Sequence, residues 1–298
     1  MMRHLVANRH LAWRRAHAML VLAGIALTCG LPVCSKGRDP ILCPPYLGPV
    51  LDAVTDSTVK IAWTPPDAEE PGFGCSRREV SADSFSVWFM ECGAVSYDLL
   101  GSTDSTEWVH NPAGMTGTYK VTAWFGDTSY AYDMTPSTVP LHSSVIVVAE
   151  LNAAGSAGYG WGRADGRGET CSMRNAGSSV RADFYFTDFS AGFEGPAYFF
   201  ASPHLGPGDL GERIPAADWR VSTFAALLPN GSAPSPALEP QAYSDRCALD
   251  EMPTSICCHT EDGYFAQVEV SDLNQADGTV RVESWFQPIK GLRLLRHE

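Results

Sequence analysis

The stretch Val59-Lys60-Ile61-Ala62-Trp63-Thr64-Pro65-Pro66 alternates apolar and polar positions and then stops at two prolines. A half-buried strand has that period of two, and proline, lacking an N–H, cannot extend a ladder. A second alternation follows in Thr118-Tyr119-Lys120-Val121-Thr122-Ala123. Around these two, Pro44 to Leu51 predicts an extended entry and Phe85 to Cys92 an aromatic strand. Leu99-Leu100 and Thr106 to Val109 are shorter strands, and Gly114 to Gly117 turns into the strand Tyr119 to Phe125. Short strands broken by turn residues predict a small antiparallel sandwich over residues 44–141.

Thr135 to Pro140 predicts a linker, and Ser144 to Ala149 opens a second region, 145–298. Val180 to Phe186 and Pro196 to Ser202 predict strands there, and the Pro/Gly/Ser-rich middle leaves room for one short helix around Thr223 to Leu228. The clearest pattern comes late, in Tyr264 to Val270 and Thr279 to Phe286, with Asp277-Gly278 as the turn entering the second strand. Ala266, Val268 and Val270 share one face, as do Val280, Val282 and Phe286. Gly291 to Leu295 closes the region. The whole chain is therefore all-β, with the second part an antiparallel sandwich or jelly-roll-like domain.

Composition adds a compartment. Arg3, Arg9, Arg14 and Arg15 precede the apolar run Ala18 to Leu27, with no acid before it. That is the plan of a signal segment over residues 1–34, too short to span a bilayer. Cys29 and Cys34 follow small or apolar residues and are the candidate lipidation sites; lipid anchoring and free secretion both remain open, and a membrane is expected only through this segment. The chain carries 21 bases and 34 acids, and removing the four leader arginines leaves 21 − 4 = 17 bases. So acidic a surface repels nucleic acid and excludes it as a partner.

Export to an oxidising compartment makes disulfides the first reading of the remaining cysteines. Cys75 and Cys92 pair within the first region in that reading; Cys171, Cys247, Cys257 and Cys258 fall in the second and allow three pairings, while Cys43 has no mate but Cys34. Cys247, Cys257, Cys258 and His259 are also zinc ligands by type, but adjacent cysteines fit one tetrahedral ion poorly and no Cys-x-x-Cys is present. Neither metal nor cofactor is expected.

Catalytic signals are weak. Gly155-Ser156-Ala157-Gly158 lacks the following helix that a nucleophile elbow requires. Asp165-Gly166-Arg167-Gly168-Glu169 reads as turn chemistry rather than a calcium loop. Asp183 and Asp188 flank an aromatic strand without further support as an acid/base pair. Tyr159, Trp161 and Trp219, with Tyr185, Tyr198 and Phe199, are the most suggestive set. Rings on a sheet face stack on sugars, although strand aromatics also build cores.

Residues 44–141 resemble a fibronectin type III domain. The resemblance rests on the entry proline, Trp63 closing the second strand before Pro65-Pro66-Asp67, the aromatic third strand, and Gly117-Thr118-Tyr119-Lys120-Val121-Thr122-Ala123. It implies an immunoglobulin-like sandwich with Trp63 and Tyr119 in the core and a corner hydrogen bond from Tyr119. The turn before Tyr119 is shorter, and the loop carrying Cys75 longer, than in the family. The expectation is an exported cell-envelope or secreted protein with a non-catalytic binding or structural role and a protein or glycan ligand. The alternative is a carbohydrate-binding or glycan-hydrolysing protein with its site in residues 145–298.

Overall fold

The computed structural model describes residues 48–65, 81–192, 195, 197–235 and 243–298. The leader, both lipidation candidates, Cys43 and Cys75 lie outside them. Every strand pair in the described residues is antiparallel. No helix among them is long and apolar enough to cross a membrane.

The first sandwich sets three strands on four. One sheet orders β1 (Val50–Thr55), β2 (Thr58–Ala62) and β5 (Glu107–His110); the other orders β4 (Asp98–Thr103), β3 (Ser84–Glu91), β6 (Gly117–Phe125) and β7 (Thr128–Ala131). The period of two places Val59, Ile61 and Trp63 against Phe85, Val87 and Phe89 and against Tyr119, Val121 and Ala123, all buried. Trp63 meets Phe85 edge-on at 5.3 Å. The Tyr119 hydroxyl lies 2.8 Å from His110 Nδ1, so its partner is an imidazole rather than the main-chain corner. The 135–140 segment is bonded to the start of β6, through Tyr119 N to Pro136 O and Thr138 N to Gly117 O.

The second sandwich packs two five-stranded sheets. One orders β10 (Gly168–Cys171), β9 (Gly158–Trp161), β11 (Phe184–Thr187), β12 (Phe199–Ala201) and β14 (Arg246–Ala248). The other orders β13 (Thr223–Ala226), β15 (Thr254–His259), β16 (Phe265–Asn274), β17 (Thr279–Phe286) and β8 (Leu141–Ala149). Tyr159, Trp161, Phe184, Phe186 and Phe200 face Val148, Phe224, Ile256, Val268, Val270, Val280, Val282 and Phe286 across the interior. Phe184 stands 4.5 Å from Phe200 and 4.9 Å from Tyr159, ring centre to ring centre. The expected helix at 223–228 is instead β13, because its backbone pairs with β15. A single-turn helix α1 (Gly206–Asp209) belongs to a segment whose Leu210, Ile214 and Trp219 cover the outer face of the first of these sheets.

After β17 the chain crosses back. Gly291 turns at φ 82°, a backbone angle that side chains disfavour. Leu292 and Leu294 then enter the core of the first sandwich, while Leu295 packs with Cys257, Phe265 and Ala233 on the second. Alternation in four residues thus wedges one strand-like segment between both cores. Arg293 fixes its register, with its N–H donating to Asp56 O at 2.9 Å and its Nε to Asp56 Oδ2 at 2.7 Å. Gln287, fully buried, donates through Nε2 to Thr138 O and Leu294 O.

Candidate functional site

Tyr159, Trp161 and Trp219 do not reach solvent. Tyr159 and Trp161 fill the space between the two sheets, and Trp219, in the covering segment, packs down onto the sheet with its Nε1 donating to Pro215 O. Tyr185 and Tyr198 are buried too and Phe199 half-buried. A ring sealed on both faces cannot stack on a sugar, which corrects the expected glycan-binding role of this set. The pressure to bury large apolar rings, about 1.5–3 kcal/mol each, won over display.

The second-region disulfides are corrected as well. Cys171, Cys247, Cys257 and Cys258 are free, as is Cys92, whose expected mate Cys75 lies outside the described residues. Cys257 and Cys258 are neighbours on β15 and point to opposite faces: Cys258 into the inter-sheet core, Cys257 outward beneath Leu295. Cys171 sits on the far face of the other sheet beside Met173. Two sheets, about 10 Å apart, separate Cys171 from Cys257, beyond the ~7 Å that a disulfide bridges between Cα atoms. Burial pushes the Cys171 thiol up to about 11 and the Cys257 thiol up to about 12, so both stay protonated and unreactive.

Asp183 and Asp188 fall into separate networks rather than forming an acid/base pair. Asp183, fully buried, receives Trp161 N at 3.1 Å and the Arg163 guanidinium at 2.7 and 2.9 Å, with Arg220 Nε 3.0 Å away. Asp262 joins the same two arginines at 2.7 and 2.5 Å. The Arg163 guanidinium also lies 5.5 Å over both Tyr264 and Phe286. Burial would raise the Asp262 carboxyl, but hydrogen bonds from Arg163 and Thr260 and the charges of Arg163 and Arg220 hold it down to about 2. This closed two-acid, two-base knot ties β9 and β11 to the turn after β15. It leaves no acid or base to do proton transfer.

No protein-family model matches this chain, and no curated protein matches it.

Of the other candidates, Ser156 precedes a strand, β9, where an elbow needs a helix. Asp165 Oδ1 accepts the Arg167 N–H in a tight turn. Ser202 Oγ and His204 Nδ1 are 2.7 Å apart, a pair unforeseen in the sequence, but the serine is fully buried and its oxygen accepts the Ser222 N–H. A sealed hydroxyl is no nucleophile. Among the described residues no three His, Cys, Asp or Glu side chains gather as metal ligands.

One outer sheet face carries a polar and aromatic row. The register places buried Gln267, half-buried Trp285 and exposed His142 side by side across β16, β17 and β8, and Glu269 opposite Glu283. His142 Nε2 contacts Glu283 Oε1 at 2.6 Å, and the His297 ring stacks on Trp285 at 3.9 Å and 12°. A half-open groove of about 230 Å³ borders them, lined by Pro253, Thr254, Ser255, Glu269, Val270, Ser271 and Glu283. On the first sandwich, Lys120 Nζ sits 5.0 Å from the Trp88 ring and 4.8 Å from Tyr97. Alternation in Thr279 to Phe286 alone puts Glu283 and Trp285 opposite the core face. Joining His142 to them required a register spanning 141 residues of sequence.

Proposed function

We propose that this chain is an exported cell-envelope or secreted protein with a non-catalytic binding or structural role. Its first sandwich, of fibronectin type III kind, is the spacer or interaction module. The observation that supports the reading is that half-buried Trp285, and Lys120 with Trp88 and Tyr97, lie on the outer faces of their sheets, while the aromatic set of the second sandwich is packed inside it. Flat faces with central rings and a polar surround suit a protein partner, in which an exposed aromatic anchor contributes most of the binding energy. The three-on-four strand arrangement of the first sandwich supports its family resemblance.

The test is site-specific photocrosslinking in cells that make the protein, with the crosslinker at Arg281 and at Leu99, both solvent-facing strand positions, and at Val268 as a buried control. The expected result is one defined envelope or extracellular protein captured at an exposed position and none at Val268. Capture nowhere, together with polysaccharide retention or cleavage by the purified chain, would overturn the reading in favour of a glycan-active protein.

A further inference from the structure

Among the described residues, three asparagines cap their own turns in the same way. Asn111 Oδ1 accepts Ala113 N at 2.9 Å, Asn175 Oδ1 accepts Gly177 N at 2.9 Å and Asn230 Oδ1 accepts Ser232 N at 3.1 Å. Each bond closes a small ring of atoms that contains both the side-chain carbon Cγ and the main-chain nitrogen of the next residue. The N–H on Oδ1 also draws electrons from Cγ and makes it a better electrophile. The three sites differ in that next residue, which is Pro112, Ala176 or Gly231. Pro112 has no N–H to give up, and the Ala176 methyl crowds the approach of its nitrogen. Gly231 has neither obstacle and turns at φ 74°. Asn-Gly occurs once in the chain.

Asn230 is exposed in the 228–232 turn, where Leu228 N donates to Ser232 O at 3.1 Å and Gly231 N to Leu228 O at 2.9 Å. The second bond engages the nitrogen, so attack on Cγ proceeds from molecules in which that surface bond is open. Beyond the turn the chain is built onto the wedge. Ser232 bridges Leu294, and Ala233 N donates to Arg293 O at 3.1 Å.

We propose that Asn230 is a self-modification site, at which water slowly replaces the side-chain amide and the turn loosens from the wedge. Gly231 N gives up its proton and bonds to Asn230 Cγ; the Cγ–Nδ2 bond breaks, and the amide nitrogen leaves as ammonia with that proton. Water then opens the cyclic imide. Opening at Cγ gives aspartate. Opening at the main-chain carbonyl gives an isoaspartyl link, in which the chain runs through Cβ and Cγ and is one carbon longer. Nothing is oxidised or reduced, and water is the only co-reactant. The extra carbon displaces Gly231 N from Leu228 O, so the turn that seats Ser232 against Leu294 no longer closes. The reaction needs no partner, and it stands apart from the binding role.

The full chain is held at mildly alkaline pH for days, digested, and read by peptide mass spectrometry with enzymatic methyl-labelling of isoaspartate. Amide-to-acid conversion is expected in the peptide carrying Asn230, faster as pH rises because the attacking nitrogen must lose its proton. Asn111 and Asn175 are expected to stay intact, and Asn230→Gln to abolish the conversion. The isoaspartyl-bearing fraction, separated by its added charge, is expected to melt below the wild type. Freshly prepared Asn230→Asp, with the same charge on a normal backbone, is expected to melt with it. Asn230 remaining intact in the folded chain overturns the proposal, and a urea-unfolded sample that converts assigns the protection to the turn. Equal conversion at Asn175 also overturns it, as does an isoaspartyl fraction that melts with the wild type.

Discussion

Ser284 stands fully buried on β17, its hydroxyl 2.8 Å from the Tyr159 hydroxyl and 2.9 Å from Trp161 Nε1. Ser284→Ala leaves both groups without this partner in an apolar interior, and each such loss costs about 1–3 kcal/mol. Urea unfolding is expected to show the midpoint falling with little change in slope. Asp262 carries a pH signature. Its folded pKa of about 2 lies below the usual carboxylate value of about 3.9, so its contribution is present above about pH 4 and is lost as pH falls towards 2. Asp262→Asn is expected to lower stability at neutral pH and to flatten the acid limb in that window, read by circular dichroism along a pH titration. Residue types in the sequence pointed to neither site. Serine in a strand is unremarkable, and Asp262 acquires its partners only when Arg163 and Arg220 arrive from distant turns.

At the scale of elements the alternating patterns were largely legible. Thr279–Phe286 is β17 with the bounds its alternation implies, and Phe85 and Tyr119 fall within β3 and β6. Local signals failed where pairing overrode propensity. Thr223-Phe224-Ala225-Ala226 has helical composition, yet it faces Cys257 and Cys258 of β15 and extends to meet them. Val180 to Phe186 was too long for a strand, because Arg181 sits in a turn and Asp183 is taken up by the arginines; β11 starts at Phe184. The wedge at 292–295 matters most here. Its leucines read as the closing strand of the second region, but Leu294 completes the first sandwich. Leu294→Ala is expected to cost about 2–5 kcal/mol, as cavity-forming core truncations do.

The wedge joins the two sandwiches, with Asp56 held by Arg293 and Thr138 by Gln287. Calorimetry is expected to show a single transition for the wild type and a separate, earlier one for the first sandwich in Leu294→Ala. The acidic surface and the all-β class were readable from composition and pattern. The shared core was not, because it joins residues that lie far apart in sequence and no local period encodes it.

Time enters through the same segment. The ribosome adds about 5–20 residues per second, and Thr116 waits 180 residues for Arg296, to whose carbonyl it donates. For roughly ten to forty seconds of synthesis the first half of the molecule exists with its hydrophobic floor missing. The first sandwich therefore closes its core only after the last strands are made.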